Sequence, residues 1–237
     1  MAHKGKRVKA QKSSRDLREQ GARVQSTNDS EVIVHLMAQS KADTFVDRAA
    51  DALRQVSGAY SLVLMTENEL VAARDPHGFR PLSLGKLDGA YIVASETCVM
   101  DLIEAEFIRE VEPGEVILIN DQGIQSFFPF KKVEPKHCVF EHIYFARPDS
   151  YIFGEHVYSV RKNLGRAMAQ ESPADVDIIV PVPDSGVVSA MGFPDESGIP
   201  FEMGLIRHDY VGLPFLERQS QIRPSCVNRK LNSLKTH

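Results

Sequence analysis

A short apolar run that ends in two prolines constrains the fold more than any other feature of this sequence. The run covers residues 176–180, Val-Asp-Ile-Ile-Val, and is followed by Pro181, Pro183 and the turn Asp-Ser-Gly at residues 184–186. A continuous apolar segment of this length predicts a strand that is buried on both faces in a parallel sheet. The prolines end the strand, and the small polar residues turn the chain sharply. The sequence therefore predicts α/β structure in the second half of the chain.

The turn at residues 184–186 allows two interpretations. In open α/β sheets such turns lie at the carboxyl edge of the strands, where free backbone N–H groups bind anions. The plainer interpretation is an ordinary turn from a strand into a helix. The pattern alone favours the ordinary turn.

The first half of the chain has a different pattern, in which helices precede a series of hairpin strands. Helices are predicted at residues 13–20, 29–40 and 41–56, and strands at residues 59–65, 70–73, 91–94 and 115–119. Hairpins that follow helices are typical of α+β layers. A proline-flanked aromatic stretch at residues 127–135 is the predicted boundary, and a helix at 157–170 then leads into the apolar run. We therefore expect two domains, at residues 1–130 and 131–237.

Composition and charge exclude several classes of protein. The net charge of −4 gives no general attraction to nucleic acid or to a membrane surface. No apolar run reaches the roughly 18 residues of a membrane helix. Three scattered cysteines do not form a disulfide framework, so the sequence predicts a reducing, cytoplasmic location. Residues 1–18 are locally basic, which is compatible with a nucleic-acid arm but is better explained by a solvated helix face.

Several stretches, in one order along the chain, resemble a known family. They are residues 25–32, 58–62, 74–82, 94–97, 144–150 and 180–186, and the last two read Tyr-Phe-Ala-Arg-Pro-Asp-Ser and Val-Pro-Val-Pro-Asp-Ser-Gly. From Ala2 to about Asn232 the chain resembles the glutamine phosphoribosylpyrophosphate amidotransferase (amidophosphoribosyltransferase) family. The resemblance implies a partial α+β N-terminal-nucleophile amidohydrolase-like domain, followed by a partial α/β type I phosphoribosyltransferase domain. It also implies a homo-oligomer that transfers the glutamine amide nitrogen to phosphoribosyl pyrophosphate, the first step of de novo purine biosynthesis.

The resemblance assigns amidotransferase roles near the start of the sequence. Residues 2–6, Ala-His-Lys-Gly-Lys, correspond to the family motif Ala-His-Asn-Gly-Asn. Lys4 replaces the asparagine of the oxyanion hole, a flexible cation in place of a fixed amide, while Gly5 retains its backbone N–H. Asp29 corresponds to the residue that pairs with the glutamine α-amino group, although a helix N-terminal aspartate explains it adequately. The family's cysteine nucleophile precedes these residues and has no counterpart in the sequence, so no catalytic residue is assigned.

The same resemblance assigns a phosphate-binding role to the 184–186 turn. Asp184, Ser185 and Gly186 correspond to the family's pyrophosphate loop, and Ser185 stands at the position associated with Mg²⁺. A lone hydroxyl is a weak magnesium ligand, so acidic partners must supply the rest of the site. The acidic loop that provides them in the family has no counterpart in the sequence.

Residues 207–215 resemble the family's mobile catalytic loop. Leu-Pro at residues 213–214 replaces the usual Arg-Thr, which removes a cation suited to phosphate and stiffens the backbone. Arg207, Tyr210 and Arg223 match the family and are candidates for an anion-binding surface.

Cys138 corresponds to the first iron–sulfur ligand in the cluster-bearing branch of the family. A [4Fe–4S] cluster generally takes four thiolates. Cys98 and Cys226 lie away from the positions of the family's other ligands. We therefore expect Cys138 to be a packed cysteine and this chain to hold no cluster by itself.

Two classes of function remain open at this point. The resemblance implies an enzyme, but the residue inventory predicts that this chain alone is inactive. The sequence leaves open whether the chain is a fragment, a misread gene product or a degenerate relative. The alternative is a non-catalytic remnant that binds a sugar phosphate or pairs with an intact homologue.

We predict that this chain does not hydrolyse glutamine, because it offers no nucleophilic cysteine and carries Lys4 at the oxyanion-hole position. Purified chain incubated with glutamine should release no more glutamate than a heat-killed control. Glutamate release above that control would contradict the prediction.

Overall fold

The computed structural model describes the backbone of Ala2–Lys4 and Arg7–Val8, together with residues 30–208 and 231–234. The chain divides into two compact units. Unit 1 comprises residues 1–141 and 151–154, and unit 2 comprises residues 142–150 and 155–237. The domain boundary at residue 130 stays a prediction, and the helix predicted at residues 13–20 lies outside the described residues.

Unit 1 is built on a five-stranded antiparallel sheet. Its strands are β1 (Ala2–Lys4), β4 (Ser61–Met65), β5 (Leu70–Arg74), β9 (Val116–Asn120) and β10 (Gly123–Phe127). The spatial order is β1-β4-β5-β9-β10. β4 and β5 form the hairpin that the sequence predicts, and β1 lies along the other edge of β4 with Lys4 opposite Ser61.

The central strands of this sheet are buried on both faces. On one face, Val71 and Ala73 belong to the cluster that also contains the apolar residues of helices α1 (Glu31–Gln39) and α2 (Phe45–Arg54). On the other face, Ala72 packs in a second cluster. Successive residues of a strand point to opposite faces, so β5 contributes to both clusters in alternation.

Smaller elements complete unit 1. Strands β6 (Ser83–Leu87), β7 (Ala90–Ala94) and β8 (Glu106–Glu110) form an antiparallel sheet in the order β7-β6-β8. β2 (Arg7–Val8) pairs with β3 (Ser57–Gly58), and the short helix α3 (Cys98–Leu102) and the short strand β11 (Tyr151–Ile152) also belong to this unit. The strands predicted at residues 59–65, 70–73, 91–94 and 115–119 correspond to β4, β5, β7 and β9, whereas the sequence did not predict β6, β8 and β10.

Helices α1 and α2 correspond to the helices predicted at residues 29–40 and 41–56, with later starts and earlier ends. Thr44 is the N-cap of α2, and its hydroxyl accepts the Asp47 N–H at 3.1 Å. Ser40 follows α1, and its hydroxyl accepts the Ala42 N–H at 3.2 Å. Hydroxyl groups that bond to nearby N–H groups compete with helical hydrogen bonds, which is why residues 40–44 separate the two helices.

The described residues of unit 2 include three α-helices and several short strands. The helices are α4 (Val157–Glu171), α5 (Val187–Gly192) and α6 (Pro194–Ser197). Strand β12 (Glu155–His156) precedes α4, and β13 (Leu205–Arg207) pairs with β14 (Leu231–Ser233). A π-helix covers Glu141–Phe145, where the sequence passes from one unit to the other. Within the described part of the chain, no helix combines the length and the hydropathy that a membrane span requires.

The apolar run at residues 176–180, predicted to be a buried parallel strand, is only partly a strand. Ile179 forms an isolated parallel bridge with Phe201, and the Ile179 N–H donates to the Pro200 carbonyl at 2.8 Å. The side chains of Val176, Ile178 and Val180 are exposed. The prediction of burial is therefore wrong in this structure, because among the described residues one neighbouring segment covers only part of the run.

Helices α4 and α5 touch through glycine. A Cβ added to Gly165 would lie 1.9 Å from the Ser189 carbonyl oxygen, and a Cβ added to Gly192 would lie 2.0 Å from the Lys162 carbonyl oxygen. Since neither distance leaves room for a methyl group, the two backbones pack directly against each other. The two glycines therefore determine how closely α4 and α5 approach each other.

Replacing Gly165 by Ala should destabilise unit 2, although alanine stabilises an isolated helix by about 1 kcal/mol relative to glycine. The added methyl group overlaps the Ser189 carbonyl, and overpacking of this kind costs about 1–3 kcal/mol. Urea unfolding followed by circular dichroism should show a lower midpoint for Gly165→Ala. Met168→Ala, an exposed position on the same helix, is the control and should keep the wild-type midpoint. A Gly165→Ala midpoint at or above wild type would contradict the contact.

Glu115, just before β9, is a buried carboxylate with a complete set of partners. Arg109 donates two hydrogen bonds to it at 2.7 and 2.8 Å, the Ser126 hydroxyl donates at 2.6 Å, and the Glu112 N–H donates at 2.7 Å. Burial favours the neutral form, but these hydrogen bonds outweigh burial and hold the pKa of Glu115 below its usual value. The ionised carboxylate therefore stabilises the folded state.

The stabilisation from Glu115 should disappear in acid. A carboxylate with a lowered folded-state pKa stabilises the protein above its unfolded pKa of about 4.3, and this stabilisation is lost as the pH falls through the folded pKa. Glu115→Gln should cost about 2 kcal/mol of unfolding free energy at pH 7 and progressively less below pH 4. Urea unfolding across this pH range is the measurement, with exposed Glu112→Gln as the control. An equal loss at pH 7 and pH 3 would refute this account of Glu115.

Candidate functional site

In unit 2, residues 183–186 form a turn at which two backbone N–H groups already donate hydrogen bonds to nearby carbonyl groups. The Gly186 N–H donates to the Val182 carbonyl at 3.3 Å, and the Val187 N–H donates to the Asp184 carbonyl at 3.2 Å. The expectation of open backbone N–H groups in an anion-binding turn is therefore wrong for these two groups. A Cβ on Gly186 would lie 2.9 Å from the Val182 carbonyl oxygen, so the turn favours glycine at this position.

The turn brings together two of the predicted substrate-binding residues. The Arg207 guanidinium, at the end of β13, forms an ion pair with the Asp184 carboxylate. Both side chains are partly exposed, so solvent screens the pair and its contribution to stability is small. Its main effect is on local charge, because the arginine offsets a carboxylate that would repel a phosphate. Ser185 is half-buried within the turn, and Tyr210 lies outside the described residues.

In unit 1, the residues predicted to support amidotransferase chemistry lie at the end of β1. Lys4 is the last residue of β1 and pairs with Ser61, the first residue of β4. Gly5 and Asp29 lie outside the described residues. Of these predicted residues, the structure therefore describes the backbone position of Lys4, at the β1 edge of the five-stranded sheet.

Residues 74–80, which we call the brace loop, follow β5 and fold around the Arg74 side chain. Arg74 is almost fully buried and donates three hydrogen bonds to carbonyl groups. Nε donates to Arg80 at 2.8 Å, Nη1 to Val111 at 2.5 Å and Nη2 to Gly78 at 3.1 Å. The guanidinium thus holds the loop closed and joins it to the segment before β9.

The charge of Arg74 is only partly compensated by a carboxylate. Glu110 lies 3.8 Å from its Nη1 atom. Burial lowers the pKa of Arg74, and the nearby carboxylates, Glu110 foremost, oppose that shift. The guanidinium carbon also lies 5.5 Å from the centre of the Phe153 ring, and the His137 ring stacks on Phe153 with a centroid distance of 4.2 Å. The Phe153 N–H donates to Glu110 at 2.5 Å, which joins residues 151–154 to the rest of unit 1 near this charge.

Asp75 is the second buried charge of the brace loop, and it bonds mainly to backbone N–H groups. Its carboxylate accepts the N–H groups of Tyr60 at 3.3 Å, His77 at 3.0 Å and Phe79 at 3.1 Å. Its own N–H donates to the Tyr60 carbonyl at 3.0 Å. Burial raises the pKa of Asp75, while these hydrogen bonds and the Arg74 charge act in the opposite direction. Through its hydrogen bonds with Tyr60, Asp75 joins the loop to the residue that precedes β4.

The far end of the brace loop contacts the segment that contains Cys138. The Arg80 guanidinium donates to the fully buried Glu141 carboxylate at 2.5 Å. The Cys138 N–H donates to the Phe79 carbonyl at 3.0 Å, and the Cys138 thiol is free and half-buried. Sequence reasoning missed Glu141, although an acid within the apolar stretch at residues 139–145 is a signal for a buried ion pair.

The described residues do not by themselves fit the cofactors that the resemblance implies. Within residues 30–208 and 231–234, no group of three or more His, Cys, Asp or Glu side chains is arranged to hold a metal ion. Asp184 pairs with Arg207, and Ser185 offers one neutral hydroxyl to Mg²⁺. Cys138 offers a single thiol to a [4Fe–4S] cluster. Both cofactors stay predictions.

Comparison with known sequences relates both units to one group of enzymes. A family model described as a glutamine amidotransferase domain matches residues 1–101. The chloroplastic amidophosphoribosyltransferase of Glycine max is 51% identical over 90% of this chain and 37% of the relative. The amidophosphoribosyltransferases of Rhizobium etli and Bacillus subtilis are 48% and 43% identical, over 97% and 99% of this chain. They are covered over 47% and 49% of their own length, so the chain spans half or less of these relatives.

The same relationship is found among solved structures. Glutamine phosphoribosylpyrophosphate amidotransferase from Bacillus subtilis, in complex with ADP and GMP, is similar with a TM-score of 0.89 and 43% identity. The likeness covers 98% of this chain and 51% of that chain, and so includes both units. It confirms the predicted fold, a partial amidohydrolase-like domain followed by a partial phosphoribosyltransferase domain. This chain is therefore similar to the amidophosphoribosyltransferases over about half of their length.

Proposed function

We propose that the protein containing these residues transfers the amide nitrogen of glutamine to phosphoribosyl pyrophosphate, giving phosphoribosylamine, pyrophosphate and glutamate. The observation that supports this most is a single likeness, at 43% identity, that includes both compact units of the chain. A fold alone does not define a function. Here, however, the likeness to these enzymes includes the acceptor-binding unit as well as the amidotransferase unit, which favours a phosphoribosyl acceptor.

In this proposal, unit 1 supports glutamine hydrolysis. The reaction requires a nucleophile and donors aimed at the oxyanion of the tetrahedral intermediate. We assign the donors to the end of β1, where Lys4 is followed by the Gly5 N–H, and we assign the glutamine α-amino group to Asp29. A lysine offers positive charge but a less fixed geometry than an amide. We therefore expect weaker oxyanion stabilisation than an asparagine at this position would give.

Unit 2 is proposed to bind the pyrophosphate group at the 183–186 turn. Arg207 already lies beside the turn, and a guanidinium can bond to a phosphate through two parallel N–H groups. Asp184 opposes anion binding by its charge, so we expect Arg207 to divide its interaction between Asp184 and the ligand. Ser185 and Tyr210 are the other proposed contacts. Mg²⁺ and a [4Fe–4S] cluster remain expectations from the resemblance, and no step of this proposal depends on them.

The competing proposal, a non-catalytic remnant that binds a sugar phosphate or pairs with an intact homologue, has no observation among the described residues in its favour. Homo-oligomer formation and a cytoplasmic location stay predictions. Some plant relatives are named as chloroplastic, so the compartment differs among the relatives themselves.

Activity of the complete gene product tests the proposed function. The complete open reading frame that contains these residues should be expressed and supplied with glutamine and phosphoribosyl pyrophosphate. We expect pyrophosphate and glutamate to be released together, and neither in quantity when one substrate is omitted. Glutamate release that is indifferent to phosphoribosyl pyrophosphate, or no release at all, would contradict the proposal.

Binding of pyrophosphate to this chain tests the assignment of the turn. With few contacts available, we expect a dissociation constant no better than about 1 mM, corresponding to roughly 4 kcal/mol. Titration followed by amide chemical shifts should move residues 184–187, and Gly186→Val should abolish the movement because the turn has no room for a side chain.

Charge variants complete this test. Asp184→Asn should strengthen metal-free pyrophosphate binding, because it removes a repulsive charge. Asp195→Asn is the matched control, since Asp195 also pairs with basic residues of unit 2 but lies on α6. If residues 184–187 do not shift at high pyrophosphate, or shift equally in Gly186→Val, the turn has no binding role.

A further inference from the structure

The brace loop takes no part in the proposed chemistry, yet it contains two of the most buried charges in unit 1. Arg74 and Asp75 are each 1% exposed. Buried charge is costly unless hydrogen bonds compensate it, so the partners of these side chains indicate what the loop supports. Most of the partners lie within the loop or just before β9. One of them, Tyr60, immediately precedes β4 instead.

Asp75 holds both backbone groups of Tyr60. The Tyr60 N–H donates to the Asp75 carboxylate at 3.3 Å, and the Tyr60 carbonyl accepts the Asp75 N–H at 3.0 Å. The next residue, Ser61, donates its hydroxyl hydrogen to the Arg80 carbonyl at 3.4 Å. The start of β4 is therefore tied to both ends of the brace loop.

The start of β4 is also the place where β1 ends. Ser61 stands opposite Arg74 on one side and opposite Lys4 on the other. β1 is a strand of three residues at the edge of the sheet. So short a strand makes few ladder hydrogen bonds, and its position depends on the strand with which it pairs.

We propose that Asp75 is a positioning residue of the amidotransferase unit, because its two hydrogen bonds with the Tyr60 backbone fix the start of β4 and thereby the backbone of Lys4. Transition-state stabilisation by oxyanion donors depends on placement to a fraction of an ångström, so a carboxylate that fixes β4 acts on the chemistry without touching the substrate. The effect on chemistry rests on the proposed function. The mechanical link from Asp75 to β1 concerns this chain alone and can be tested separately.

Glu115 offers a matched control for this proposal. It lies in the same unit, is equally buried, and accepts four hydrogen bonds. Its side-chain donors are Ser126 on β10, at the opposite edge of the five-stranded sheet from β1, and Arg109 on β8, which belongs to the three-stranded sheet. A general loss of stability should therefore follow from either variant, but only Asp75 should affect β1.

Amide hydrogen exchange in this chain tests the mechanical link. Asp75→Asn keeps the size of the side chain but replaces one accepting oxygen with an amide group that cannot accept. We expect exchange at residues 2–4 and 61–63 to become about tenfold faster, with little change at residues 116–127. Glu115→Gln should give the reverse pattern. Faster exchange spread evenly over unit 1, or unchanged exchange at residues 2–4, would overturn the proposal.

A milder variant keeps the test decisive if Asp75→Asn does not fold. Ser61→Ala removes only the hydroxyl bond to the Arg80 carbonyl. It should accelerate exchange at residues 2–4 by about twofold to threefold and leave residues 116–127 unchanged. If Asp75→Asn does not fold and Ser61→Ala leaves exchange at residues 2–4 at the wild-type rate, the proposal is wrong.

Kinetics of the complete gene product test the effect on chemistry. Asp75→Asn should lower kcat for glutamine hydrolysis about tenfold while KM for glutamine stays within about twofold, because oxyanion placement affects the transition state more than the ground state. Glu115→Gln should leave both parameters near wild type. Wild-type kcat in Asp75→Asn would overturn the positioning role. If the wild-type product does not hydrolyse glutamine, the proposed function is wrong, and the exchange result alone decides the link to β1.

Discussion

The fold of unit 1 depends on the burial of a complete arginine side chain at the end of β5. The Arg74 guanidinium remains charged at any physiological pH, so its burial requires acceptors on nearly every side. Three carbonyl groups provide most of them, and the chain after β5 has to close into a narrow loop to bring those carbonyls within reach. Gly78, with φ of +61° and the Pro113 ring only 2.8 Å from where a Cβ would lie, allows that closure. The closed loop in turn presents the Asp75 carboxylate to Tyr60, the residue before β4, and β4 pairs with β1.

Unit 2 is organised by different contacts. Its helices approach through backbone contact at glycine, and its predicted ligand turn is closed by its own backbone hydrogen bonds. The charged groups there are partly exposed, so the Asp184–Arg207 pair adjusts the local electrostatic potential more than it stabilises the fold. Pyrophosphate binding at this turn, if the proposed function holds, therefore depends on how a surface arginine divides its interaction between a neighbouring carboxylate and an anion.

The sequence predicted those elements whose signal is local and periodic. The amphipathic pattern of α2, the hairpin of β4 and β5, and the apolar strand β9 were all predictable from spacing. Strands β6 and β8 were not, because Gly85 and the charged residues of Glu106–Glu110 break the alternation that marks a strand. The contacts of residues 74–80 were not predictable either, because the partners Tyr60, Val111 and Glu141 are distant in sequence and have no local signal. The prediction that the apolar run at residues 176–180 is buried failed because composition alone does not say which neighbours cover a strand.

The central claim is that unit 1 requires the compensated charge of Arg74. Native-state hydrogen exchange at Val71, Ala72 and Ala73, the buried core of β5, measures the free energy of opening of this unit. Arg74→Met leaves the carbonyl partners and Asp75 without their cation, and it should lower that free energy by about 3–5 kcal/mol. Arg54→Met, which removes an exposed ion pair on α2, should lower it by less than about 1 kcal/mol. An Arg74→Met loss no larger than the Arg54→Met loss would contradict the claim.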